Sequence, residues 1–153
     1  ETLHRSHDLS RIKMGDYIRT LTGHLFRSYG VDPNLISLEL NVDDVEFDID
    51  TGLTCGLIID ELVSNCLKHA FIDDNGGTVH IDLLDHVDGT FTLCVSDNGI
   101  GIPKDGVLNN PDSLGLELVT LLAEKLDGST ELRSGAGTEW QIRFQQLQYS
   151  ERV

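Results

Sequence analysis

The order in which apolar residues change their spacing constrains this chain's fold more than any other feature. Ile18, Leu21, Leu25 and Phe26 recur at helical intervals between Met14 and Tyr29, and Gly30 follows as a cap. Val31-Asp32-Pro33-Asn34 reads as a turn. The period then falls to two, with Ile36, Leu38, Leu40 and Val42 alternating with Ser37, Glu39 and Asn41. A short second strand is expected near Val45 to Ile49, paired with the first. Thr51 to Phe71 carries the longest helical pattern, and Asp73-Asp74-Asn75-Gly76-Gly77 forms a turn cluster. Beyond it, Val79, Ile81 and Leu83, then Phe91, Leu93 and Val95, alternate with polar residues on either side of Asp88-Gly89, predicting an antiparallel hairpin. Residues 97 to 113 are rich in Gly, Asn, Asp and Pro without any period, and so long a loop in a compact domain is usually functional. Leu114 to Leu126 is helical again and closes at Asp127-Gly128, before strands near Thr130 to Arg133 and Glu139 to Phe144. This order predicts an α+β two-layer sandwich: a mixed, largely antiparallel sheet covered on one face by about three helices.

Composition narrows the function. The chain of 153 residues suits one domain with a real core, and its 39% apolar content argues against disorder. No apolar run approaches the ~18 residues of a membrane span, so no direct membrane insertion is expected. Glu1 to Asp8 are polar, so no signal peptide is expected, and a start at Glu1 suits a piece cut from something longer. Eleven Lys and Arg against 26 Asp and Glu give a net charge of −15. No basic patch is dense enough to follow a phosphate backbone, which excludes nucleic acid as an expected partner. Cys55, Cys66 and Cys94 have no metal-binding spacing, and buried free thiols in a reducing compartment are expected.

Four segments carry candidate chemistry. On a wheel of ~100° per residue, Thr54, Glu61, Asn65, Lys68 and His69 share one arc, opposite Cys55, Ile59, Leu62, Val63, Cys66, Leu67 and Ala70. An amphipathic helix with a solvated side accounts for that pattern. The alternative is a carboxylate one turn before an amide, then a Lys and a His, arranged to hold a metal and a polyanion together, which gives a reason for an Asn in mid-helix. Asp97-Asn98-Gly99-Ile100-Gly101-Ile102-Pro103 follows a strand and is either a plain turn or an acceptor beside backbone that a ligand can approach. Ser113-Leu114-Gly115-Leu116-Glu117 opens a helix, through ordinary capping or as an anion site of free N–H groups. Gly135-Ala136-Gly137-Thr138 by itself is a hairpin turn.

Taken in order, these segments resemble a known family. Glu61 to Phe71 resembles the N box of sensor histidine kinases, and Asp97 to Pro103 their G1 box. Ser113 to Leu116 is similar to the G2 box and Gly137-Thr138 to the G3 element. These boxes mark the Bergerat-fold ATPases, which include gyrase, Hsp90-type chaperones, histidine kinases and MutL. The resemblance covers residues 35 to 147. Asp8 to Ile12 and His24 to Tyr29 resemble the stretch that follows the phosphoacceptor helices in the second HisKA-type subgroup.

The resemblance implies a catalytic ATP-binding domain at 35–147, preceded by a linker and helix at 1–34 and followed by a tail at 148–153. It implies ATP and Mg²⁺ as cofactors, with Asn65 coordinating the metal at the phosphates. Asp97 would accept the adenine amino group, Gly99 and Gly101 would shape the adenine pocket, and Thr138 would support Asp97. Residues 102 to 113 would form a lid, with Ile102 and Leu114 at its nucleotide-contacting ends. Gly115 and Leu116 would offer N–H groups to the phosphates, and Lys68 and His69 would contact phosphates or lid. Glu61 would act as a catalytic base or orient the attacking group, or else serve a structural or Mg²⁺-linked role. The implied partners are the phosphoacceptor and dimerisation domain of the same kinase and a response regulator downstream, in the cytoplasm. None of His4, His7, His24, His80 and His86 sits in a phosphoacceptor context, so the accepting histidine is expected elsewhere and this piece is expected to be monomeric. An anti-sigma-type serine kinase or a non-catalytic nucleotide-sensing module on the same fold are the alternatives. A gyrase- or MutL-type ATPase is disfavoured by size and by the absence of a transducer domain.

Overall fold

The computed structural model describes residues 10–71, 76–99 and 113–146, the side chains of 113–116 excepted. Helix α1, Met14–Ser28, turns Met14, Ile18, Thr22 and Leu25 inward. Thr22 Oγ1 donates to the Ile18 carbonyl at 2.7 Å, which satisfies its hydroxyl within apolar surroundings. The helix ends as expected, with Gly30 at φ +62° and Val31 N–H donating to the Phe26 carbonyl at 3.0 Å.

The main sheet contains β2 (Ile36–Val42), β4 (Gly77–Asp85), β5 (Thr90–Asp97), β6 (Ser129–Ser134) and β7 (Thr138–Gln145), in the order β2-β4-β5-β7-β6. β2 and β4 run parallel, and every other neighbouring pair is antiparallel. The parallel pair needs a long crossover, which helix α2, Ile49–Asn65, supplies. Helix α3, Ser113–Lys125, packs against α2.

One face of this sheet is covered. Val79, Ile81 and Leu83 of β4, Leu93 and Val95 of β5 and Ile142 of β7 are sealed from solvent, as are Ile58, Ile59 and Val63 of α2 and Val119 and Ala123 of α3. The rings of Phe47, Phe91 and Phe144 meet at centroid separations of 4.8–5.8 Å. The other face is polar, and on it His80 Nδ1 lies 3.1 Å from Glu39 Oε2. The expected α+β sandwich, its mixed sheet and its one covered face are all present. No helix among the described residues is long and apolar enough to cross a membrane.

Two local readings need correction. The strand near Val45 to Ile49 exists as β3, Glu46–Asp48, but it pairs antiparallel with β1, Arg11–Lys13, rather than with β2. Phe47 explains this, because its ring packs on Phe91 of β5 and Phe144 of β7, away from the β2 edge. Three-residue β1 is too short to show a period and escaped the sequence reading. The helix expected over Thr51 to Phe71 is α-helical only to Asn65, and Cys66–Ala70 forms a π-helical turn. Such turns are frequent at functional sites.

Candidate functional site

Helix α2 is anchored at its start. Asp48 caps it, accepting from Thr51 Oγ1 at 2.6 Å and from Thr51 N–H at 3.4 Å. From there the helix runs beneath the sheet, and its polar arc is less solvated than the wheel suggested. Thr54 is buried and donates to the Asp50 carbonyl at 2.6 Å. Glu61 and Asn65 are half-buried, and of the arc's five polar residues Lys68 and His69 alone stand exposed. Leu57, within the same arc, is exposed, while its neighbour Ile58 is in the core.

Asn65 carries an anomaly. Its Nδ2 is fully buried and has no hydrogen-bond partner among the described residues. A buried amide donor left unpaired costs about 1–3 kcal/mol, and native folds rarely keep one without a use for it. The π-helical turn begins at the next residue, and its wider i→i+5 register displaces Lys68 and His69 from the angles a pure α-helix would give them.

Strand β5 brings the second group. Its inward row, Phe91, Leu93 and Val95, ends in Asp97, a carboxylate only 9% exposed in a position the period reserves for an apolar side chain. Asp97 Oδ1 accepts from the Gly99 N–H at 2.9 Å, and Oδ2 accepts from the Cys66 thiol at 3.2 Å. Two oxygens offer about four lone-pair sites, so acceptor capacity remains for a ligand. Asn98 braces the turn, with Oδ1 accepting from Thr78 N–H at 2.8 Å.

Two glycines permit the convergence. A Cβ on Gly99 would collide with the Ala70 carbonyl, and one on Gly137 would collide with the Asp97 carbonyl. The end of α2, the end of β5 and the start of β7 therefore meet backbone to backbone, and Thr138 lies directly across from Asp97. A concavity of about 400 Å³ opens beside Asp97 and Thr138, lined also by Arg133 and Glu139.

The structure thus brings Asn65, Asp97, Gly99 and Thr138 to one end of the sheet, with Glu61 one turn earlier on α2 and Lys68 and His69 on the outer side of the π turn. Gly101 and Ile102 lie outside the described residues. Leu114, Gly115 and Leu116 fall in the first turn of α3, whose leading N–H groups have no intrahelical partner. Cys66 is the residue that sequence reasoning missed. The wheel filed it with the core, and a contact spanning 31 residues leaves no mark on local periodicity. Burial, and then the Asp97 charge, push its thiol well above the usual range, so it is a protonated donor at neutral pH.

An acceptor held at a strand end, an orphaned amide, an exposed lysine and histidine and a helix N-terminus together suit a ligand with a flat hydrogen-bonding ring and a polyanionic tail. The family described as histidine kinase-, DNA gyrase B-, and HSP90-like ATPase matches residues 52–148. The chain is 31% identical over 104 residues to Blue-light-activated histidine kinase 2 of Erythrobacter litoralis, covering 67% of this chain and 30% of that protein. It is 35% identical over 100 residues to Sensor histidine kinase PdtaS of Mycobacterium tuberculosis, covering 63% of this chain and 20% of that protein. The chain therefore spans less than a third of the length of either relative. Among solved structures, the histidine kinase domain of the E. litoralis EL346 blue-light-activated kinase superposes with a TM-score of 0.79 at 26% identity, over 88% of this chain and 62% of that one.

Proposed function

The chain belongs to the histidine kinase-, DNA gyrase B- and HSP90-like ATPase family, and from that membership we propose that it is the ATP-binding catalytic domain of a sensor histidine kinase. The observation that carries this reading is Asp97, a carboxylate at the end of an otherwise apolar row, held from both sides where three elements meet. In this reading Asp97 accepts the exocyclic amino group of adenine, with Gly99, Gly101 and Ile102 along the ring and Thr138 beside it. The N–H groups around Leu114, Gly115 and Leu116 receive phosphate oxygens, with Lys68 and His69 near the phosphates or the lid formed by residues 102 to 113. The domain itself is residues 35–147, with 1–34 as linker and helix and 148–153 as a tail.

The Asn65 carboxamide fits Mg²⁺-bound phosphate, because its Oδ1 is a hard oxygen ligand and its buried Nδ2, unpartnered among the described residues, is a donor left for a phosphate oxygen or a water. When bound, Mg²⁺ neutralises charge on the phosphate oxygens. Phosphoryl transfer is mainly a matter of positioning and charge, so this chain's task is to hold the nucleotide in line with an incoming nucleophile. Glu61, one turn before Asn65, orients that nucleophile or takes its proton. The nucleophile is a histidine on a separate dimerisation domain of the same kinase, and a response regulator in the cytoplasm receives the group next.

Calorimetric titration with ADP and a non-hydrolysable ATP analogue, with and without Mg²⁺, tests the reading. Saturable, Mg²⁺-dependent binding that is lost in Asp97→Asn is the expected result. Absence of nucleotide binding by the unmodified chain overturns it.

A further inference from the structure

We propose that Cys66 is a positioning residue for base recognition, its thiol holding the Asp97 carboxylate in the orientation that receives the purine amino group. The inference rests on the reading of Asp97 as the acceptor for the base. Its own support is geometric. Asp97 is gripped at both oxygens, by the Gly99 N–H on Oδ1 at 2.9 Å and by the Cys66 thiol on Oδ2 at 3.2 Å.

Among the described residues, Cys66 donates the one side-chain hydrogen bond to Asp97. Thr138 faces Asp97 through the backbone pairing of β5 and β7. Without the thiol, only a single backbone donor on the other oxygen would oppose rotation of the carboxylate about its terminal torsion, which is broad in energy. Cys66 also opens the π-helical turn, so its side chain leaves the helix where the register widens toward β5. The thiol is the right donor for the task. It is small and buried, and it presents a donor to Asp97 at little cost to the apolar packing around it.

A comparison of two nucleotides separates orientation from packing. ADP carries the amino group that Asp97 would accept, and IDP carries a carbonyl in its place. Titrations of the unmodified chain, Cys66→Ser, Cys66→Ala and Asp97→Asn with ADP and with IDP read the ratio of the two affinities. Cys66→Ala should weaken ADP by about three- to ten-fold, the worth of one hydrogen bond, and IDP much less. Cys66→Ser should restore most of the preference, since a hydroxyl can donate in the same place.

An Asp97→Asn variant that loses the preference beside a Cys66→Ala variant that keeps it overturns the Cys66 role alone. Equal losses of ADP and IDP in Cys66→Ala also overturn it, because they mark simple packing. An Asp97→Asn variant that binds like the unmodified chain overturns both the base-site reading and the Cys66 role. Should Cys66→Ala fail to fold, the infrared S–H stretch of the unmodified chain decides the matter. The band missing from Cys66→Ser should lie at lower frequency than the other thiols and shift upward in Asp97→Asn, and an unmoved band overturns the proposal.

Discussion

At the scale of single residues, the site consists of groups that cost stability where they stand. Asp97 occupies an inward position in a strand whose other inward residues are Phe91, Leu93 and Val95. Asp97→Asn removes the charge that makes the acceptor strong, and ADP binding should weaken by about 1.5–3 kcal/mol. Thermal stability should change much less, because an amide keeps an acceptor for Gly99. Calorimetry paired with a melting curve checks both halves. Asn65 offers the sharper contrast, since its buried Nδ2 has no partner to lose among the described residues. Asn65→Ala should abolish the Mg²⁺-dependent part of binding while leaving stability unchanged or raising it by about 1 kcal/mol. A loss equal with and without Mg²⁺, or a clear fall in melting temperature, would mark Asn65 as structural.

At the scale of elements, the site depends on close approach of three backbone segments. Gly137 brings β7 against the end of β5 because a Cβ there would collide with the Asp97 carbonyl, whereas a Cβ on Gly135 would meet nothing. Gly137→Ala should therefore cost about 1–3 kcal/mol of stability and weaken nucleotide binding, through displacement of the Asp97 backbone. Gly135→Ala, in the same turn, should stay within about 0.5 kcal/mol of the unmodified chain in denaturant unfolding. The π turn acts in the same way from the helix side. It ends α2 with Ala70 pressed against the position of Gly99, where a Cβ would collide with the Ala70 carbonyl.

At the scale of the whole molecule, burial of thiols sets an alkaline limit. Burial first, and the Asp48 charge second, push Cys55 up to about 12. Burial, with Glu139 and Asp82 nearby, pushes Cys94 up to about 11. Cys66 is raised by burial and by Asp97. A thiol that holds its proton longer folded than unfolded contributes fully below its unfolded value of about 9. That contribution disappears as pH rises toward the folded values. Denaturant midpoints should thus be level near pH 8 and fall above about pH 9, with a slope of up to about 1.4 kcal/mol per pH unit for each such thiol. Cys55→Ala should flatten this slope, and a midpoint independent of pH between about 9 and 11 would show that the thiols are not held protonated.

The sequence by itself determined which segments are helices and strands, because a long periodic run reports the one face it buries. Ile36–Val42, the hairpin of β4 and β5, and α1 with its Gly30 cap all lie where their spacing placed them. The ordered boxes around Asn65, Asp97, Gly115 and Thr138 carried the family as well, since four short segments in a fixed order are far more specific than any one of them. Only the tertiary structure decided where β3 pairs, how α2 ends and what holds Asp97. Phe47 draws β3 to the aromatic cluster and thus to β1. The π register shows only in backbone hydrogen bonds, and the apolar pattern of Cys66–Ala70 allows either helix. The thiol of Cys66 reads as core on any wheel, and it becomes a hydrogen-bond donor only because the sheet carries Asp97 to it across 31 residues of chain.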